Sequence, residues 1–165
     1  MRRSVLLCAV FLAACQSANA IPIDPRNATF KIDQRQVTLS NGTFEEAAAP
    51  GSAAKATTRL SDKGAVGDVN GDAKPDAVAI LTFSGGGSGT FYCVAVLLGN
   101  GTAKGDPTNA ILLGDRIAVD AVRVDGGKIS VDVLDRRVGE PFATAPSVKA
   151  TRIFQVNDRT LAEIK

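Results

Sequence analysis

Apolar residues recur at every second position through most of this chain, broken by short Gly, Asp and Asn clusters, and that period of two restricts it to β-strands. Phe30 and Ile32, then Val37 and Leu39, flank Asp33-Gln34-Arg35 as a hairpin. Ile117, Val119 and Ala121 face one way before Asp125-Gly126-Gly127, and Ile129, Val131 and Val133 answer on the return strand. The Asp-Gly-Gly turn supplies the positive φ such hairpins require. The runs Ala77 to Phe83 and Phe91 to Leu98 are more densely apolar, as expected of central strands covered on both faces. Arg152 to Val156 reads as a further strand, followed by a short one near Leu161 to Ile164. Helix formers occur at Glu45 to Ala49 and Ser52 to Ala56, but Pro50-Gly51 interrupts them, so one short helix is the most they allow. The expected fold is all-β, a mainly antiparallel sandwich or open barrel-like sheet with at most one or two short helices. Roughly eight to ten short strands suffice to bury one core, in a single β domain over residues 28–165.

Before that domain, Met1-Arg2-Arg3 leads into the apolar run Ser4 to Phe11 and then Leu12-Ala13-Ala14-Cys15. This order matches the basic, apolar and small-residue zones of a secretory signal. The run falls short of the roughly 20 apolar residues that span a bilayer as a helix. Leu12 to Cys15 resembles the lipobox of bacterial lipoproteins. The resemblance implies a signal peptide over 1–14, cleavage before Cys15, lipidation of Cys15 and a tether over 15–27. It implies an exported membrane lipoprotein, and Gln16 after the cysteine implies the outer membrane, facing the periplasm, if the source is Gram-negative. Ala18-Asn19-Ala20 offers an ordinary cleavage site as the alternative, which would leave a soluble periplasmic protein. The prolines of Ile21-Pro22-Ile23-Asp24-Pro25 keep the tether extended.

The chain has 19 basic and 17 acidic residues. On that resemblance Arg2 and Arg3 would leave with the signal, and the remainder would be formally neutral, with no basic excess to recruit nucleic acid. Of three cysteines, Cys8 would leave as well and Cys15 would carry lipid, which would leave Cys93 without a disulfide partner. Set in an apolar strand, and with no histidine in the chain to activate it, Cys93 reads as a small buried hydrophobe.

Asp68-Val69-Asn70-Gly71-Asp72-Ala73-Lys74-Pro75-Asp76 carries the only concentrated chemistry. Oxygen side chains alternate along it, and calcium takes roughly six to eight hard oxygen ligands. The same spacing also suits a plain Asp/Asn/Gly turn whose side chains bond their own backbone. Strand-like residues flank the loop, and Ala79 stands where an EF-hand needs Glu. The loop resembles the calcium loop of FG-GAP (VCBS-type) repeats over about Gly64 to Phe83. That resemblance implies a structural calcium ion held by Asp68, Asn70, Asp72 and Asp76 side chains and the Lys74 carbonyl. One departure stands out: Ala73 occupies a position the family gives to Gly. If φ is positive there, Ala costs on the order of 1 kcal/mol, and the affinity falls near the ~10⁻⁴–10⁻³ M of extracellular modules. A single such loop excludes a propeller, which needs repeated blades. The chain also resembles small bacterial envelope lipoproteins that pair this loop with a glycine-rich stretch, a likeness that implies no activity.

That stretch, Ser84-Gly85-Gly86-Gly87-Ser88-Gly89-Thr90, lacks the Gly-Lys-Ser/Thr ending and the following helix of a phosphate loop. It reads as a hairpin loop between core strands, with Gly85, Gly86, Gly87, Ser88 and Gly89 as candidates to grip a ligand through backbone. Asp135 to Pro141 reads as a solvated turn with local ion pairs, or as a charged rim for a polar ligand. Without histidine, Ser-His-Asp and Cys-His catalysis is impossible and zinc lacks donors. Glu45, Glu46, Asp115, Asp120 and Asp135 leave a paired-carboxylate hydrolase formally open, although nothing in the spacing pairs them. The expectation is therefore a non-enzymatic, lipid-anchored envelope module stabilised by calcium. Its partners would be the membrane and an envelope protein or glycan. A carboxylate-based envelope hydrolase, or an inhibitor of one, is the alternative.

Overall fold

The computed structural model describes residues 21–164. The expected signal segment 1–14, the expected lipidation position Cys15 and the expected tether up to Ala20 lie outside the described residues, as does Lys165. Among the described residues twelve strands follow a single 3-10 turn, Pro25–Asn27. They are β1 (Thr29–Ile32), β2 (Arg35–Thr38), β3 (Thr43–Ala47), β4 (Lys55–Gly67), β5 (Asp76–Ser84), β6 (Phe91–Leu98), β7 (Asp106–Pro107), β8 (Ile111–Asp115), β9 (Ala118–Asp125), β10 (Lys128–Asp135), β11 (Val148–Asn157) and β12 (Thr160–Ile164). All paired strands are antiparallel. The fold is thus all-β and sandwich-like, not a closed barrel. One sheet runs β3-β4-β5-β6-β7, with β8 also on β6; the second runs β12-β11-β10-β9, and β1-β2 form a hairpin of their own.

Strand periodicity explains how these sheets stack. On β5 and β6 alternate side chains point to opposite faces. Val78, Ile80, Val94, Val96 and Leu98 meet Ile129, Val131, Phe154, Val156 and Leu161 of the second sheet in the larger core. Ala77, Ala79, Leu81, Ala95 and Leu97 meet Phe30, Val37 and Leu39 of the β1-β2 layer on the other side. Coverage on both faces is why these two strands read as unbroken apolar runs. The predicted hairpins form where turn chemistry permits them. Gly126 (φ +54°) and Gly127 (φ +76°) close β9-β10, while Asp33 (φ +52°) opens the β1-β2 turn.

Three local expectations differ from the structure. First, Glu45 to Ala49 is not helical: β3 pairs with β4, Thr43 opposite Arg59 and Ala47 opposite Lys55. Helix propensity is worth only tenths of a kcal/mol per residue, roughly, and yields to a strand ladder joined to the core. Secondly, Ala121 does not share the inward face of Ile117 and Val119. The β9-β10 register shifts between Asp132 and Val133, so Asp132 faces Ala121 while Val133 faces Val119. The bulged Asp120 resets the parity, and Val122 and Val124 take over the core side. Thirdly, the tether is not free up to Asn27. Ile23 packs against the second core, Asp24 donates its backbone N–H to Ala103 O at 2.7 Å, and the Asp24 side chain caps the 3-10 turn at Arg26 N.

Candidate metal centre

The acidic loop connects β4 to β5 at one end of the sandwich, and its oxygens are directed largely at its own backbone. Asp68 Oδ1 accepts from Gly71 N at 2.7 Å and Asn70 N at 3.2 Å, and Oδ2 accepts from Ala73 N at 2.9 Å. Asn70 Oδ1 accepts from Asp72 N at 3.0 Å, and Asp72 Oδ1 from Lys74 N at 2.9 Å. The Lys74 ammonium sits 3.2 Å from Asp72 Oδ2. These are the overlapping Asx turns that Asp and Asn make when they bond to backbone nearby. Ala73 adopts φ +61°, the conformation that favours glycine, beside Gly71 at +81°.

Asp76 stands apart from the other four. It begins β5, exposes none of its surface, and accepts from Val69 N (2.8 Å) and Gly99 N (2.7 Å), one bond on each oxygen. Its carboxylate thereby clips the acidic loop to the end of β6. The approach is close because residue 99 has no side chain; a Cβ there would lie 2.6 Å from the Pro75 carbonyl. Electrostatics separate the acids in the same way. Backbone hydrogen bonding, led by the Ala73 amide, holds Asp68 below the ordinary carboxylate range, and the Lys74 amide does so for Asp72. Burial pushes Asp76 up, against the pull of its Gly99 and Val69 bonds, with the Asp72 and Asp68 charges adding to the rise.

Asp68, Asn70, Asp72 and the Lys74 carbonyl lie in one exposed turn, and an oxygen accepting one N–H keeps a lone pair for a cation. Asp76 also accepts a single N–H on each oxygen, but it is buried at the start of β5, apart from the exposed turn. Among the described residues no three Asp, Glu, Cys or His side chains converge closely enough to hold a metal. The arrangement suits a turn that stands by itself better than a preformed cage. Asn70 and Gly71 also wall a shallow polar cleft, opposite Gly127 and Gln155 to Asp158.

The glycine-rich loop closes the opposite end of β5 and β6. Gly85, Gly86, Gly87 and Ser88 are exposed, whereas Gly89 is half-buried. Gly86 (φ +86°) rests on the β3-β4 turn, where an added Cβ would meet Ala48, Ala54 and the Lys55 carbonyl within 3.3 Å. Thr90 N donates to Asp115 Oδ1 at 2.9 Å, and Arg116 N donates to Thr90 O at 2.6 Å. The Arg116 guanidinium grips Asp115 and lies 4.0 Å over the ring of Phe142, with Arg136 at 5.8 Å. Arg136 also donates to the carbonyls of Arg116 and Thr144, and Arg137 pairs with Glu140. The arginines of the Asp135 to Pro141 segment are therefore engaged within the protein.

The remaining acids named from sequence are scattered. Glu45 pairs with Lys55 at 2.9 Å, Glu46 with Arg35, and Asp135 caps Arg136 N at 2.7 Å. The Lys55 bond holds Glu45 below its ordinary range, and the Arg116 bond does the same for Asp115. Asp120 is the exposed bulge residue of β9. Cys93 is buried, and burial pushes its thiol up to about 11, far from a reactive thiolate.

Two polar residues that sequence reasoning missed join the sheets. Asn109 imitates a peptide group, accepting from Leu161 N at 2.9 Å and donating to Leu161 O at 3.0 Å. Arg152 bonds Glu163 and reaches the carbonyls of Leu112 and Leu113. The partners on the other sheet lie 52 residues from Asn109 and about 40 from Arg152, so no local spacing announces them. No family model, curated protein or solved structure matches the chain.

Proposed function

We propose that this chain is an exported, lipid-anchored envelope module that binds or braces an envelope protein or glycan and catalyses no reaction. The carrying observation is Leu12-Ala13-Ala14-Cys15 after a basic, then apolar, N-terminal run. In this reading the lipid on Cys15 holds the domain at the outer membrane, and a second acyl chain is needed for stable attachment. The docking of Ile23 and Asp24 supports a short tether, because it leaves only residues 16–22 between the lipid and the folded domain. The support for a non-enzymatic role is that the acids are engaged locally, Glu45 with Lys55 and Asp115 with Arg116. Fractionation tests the anchor. Wild-type protein should sediment with membranes and need detergent for release, and Cys15→Ala should not; equal partition of the two would reject it.

Calcium has a secondary place in this proposal, as an ion added to a turn that already stands. Asp68, Asn70, Asp72 and the Lys74 carbonyl would hold it, and Asp76 would remain the internal clip. Weak binding is expected with four protein donors and a strained Ala73. Millimolar calcium should raise the melting midpoint slightly over chelator, and Asp72→Ala should abolish that increment. A midpoint indifferent to calcium would remove the ion from the proposal.

A further inference from the structure

Asparagine followed by glycine is the pair most prone to spontaneous deamidation, because no side chain shields the glycine amide nitrogen as it attacks the asparagine amide carbon. Three such pairs occur here: Asn41-Gly42, Asn70-Gly71 and Asn100-Gly101. Their surroundings differ in the attacking group. Gly42 N donates to Arg26 O at 2.8 Å, and Gly71 N donates to Asp68 Oδ1 at 2.7 Å. A nitrogen whose proton is held in a hydrogen bond is poorly placed to lose it and attack. No described residue accepts from the Gly101 amide, and open space surrounds its α-carbon.

The side chain at the third pair is also polarised. Asn100 Oδ1 accepts from both Thr102 Oγ1 (2.7 Å) and Thr102 N (3.0 Å). Two donors therefore meet the oxygen on which negative charge develops during attack. The departing nitrogen, Nδ2, is held 2.9 Å from Asp106 Oδ1. Asn100 is exposed, so water reaches it.

The geometry points to Asn100 as a self-modifying site that converts to aspartate and isoaspartate. The Gly101 nitrogen forms a bond to Cγ of Asn100 as the Cγ–Nδ2 bond breaks. The amide proton leaves with the side-chain nitrogen as ammonia, and a five-membered imide remains. Water then opens the imide at either carbonyl, so the balance is one water consumed and one ammonia released, with no redox change. The product places a second carboxylate against Asp106, which already pairs with Arg159 at 3.1 Å. The loop it loosens carries Ala103, the residue that receives Asp24 of the tether. This inference is independent of the membrane and calcium readings.

Peptide mapping by mass spectrometry after incubation of the folded chain at mildly alkaline pH, well below its melting point, tests it. Asn100 should convert several-fold faster than Asn41 or Asn70, and Thr102→Val should slow it in the folded chain only. In urea the three sites should approach a common rate. Conversion of Asn41 or Asn70 at a rate matching Asn100 in the folded chain, or an unchanged folded rate in Thr102→Val, would overturn the assignment.

Discussion

A carboxylate with no exposed surface persists only where its oxygens are matched, and Asp76 is matched by two backbone amides from different loops. Asp76→Asn keeps the shape but sets an NH₂ group against one of those N–H donors. We expect it to cost about 1–3 kcal/mol, read as a lower urea midpoint; an unchanged midpoint would show that the clip carries little. Ala73 lies at the other extreme, an exposed residue at φ +61° with nothing but conformation at stake. Ala73→Gly should stabilise the protein by up to about 1 kcal/mol, and a lower midpoint in thermal melts would contradict that. The spacing of the loop and the odd placement of Ala73 were both legible in sequence. The destination of Asp76 was not, because its second partner, Gly99, lies 23 residues further along the chain.

At the scale of elements, the sheets are pinned by close approaches as much as by apolar faces. Gly64 sits where the β4-β5 register shifts, and a Cβ there would lie 2.7 Å from the Val78 carbonyl. Gly67 would place its Cβ 2.7 Å from Val124 Cγ1, an encounter with a side chain instead of backbone. Gly67→Ala should therefore be partly rescued by Val124→Ala, while no single side-chain truncation rescues Gly64→Ala. Each glycine substitution should cost about 1–3 kcal/mol alone, and a double-mutant cycle in urea checks the coupling; strict additivity at Gly67 and Val124 would refute it. Strand identity was readable wherever alternation met a turn signal, as at Asp125-Gly126-Gly127. The Asp120 bulge was not, since register belongs to a pair of strands and one strand carries only half of it. β3 was hidden for a related reason: its pairing with β4 overrides the helix-forming residues Glu45 to Ala49.

For the molecule as a whole, charge governs how stability responds to acid. Asp68, Asp72, Glu45, Asp115 and Asp132 sit below their ordinary carboxylate range in the fold, chiefly through hydrogen bonds. Each contributes stability that is present above the unfolded value and is lost as pH falls through the lowered folded value. Asp76 is shifted upward and works in the opposite sense, so its contribution declines as pH rises from the unfolded value toward the raised one. Five shifts oppose one, and we expect stability to fall on acidification below the ordinary carboxylate range; a midpoint that rises there would contradict this balance. The all-β class followed from the period of two, and the layering of the sheets from the apolar runs on β5 and β6. The proposed location rests on the fifteen residues Met1 to Cys15, which lie outside the described residues. The mass of the mature N-terminal peptide, isolated from the native host envelope, tests that place most directly. We expect a chain that begins at Cys15 and carries acyl groups; an unmodified chain beginning at Ile21 would contradict the lipid anchor.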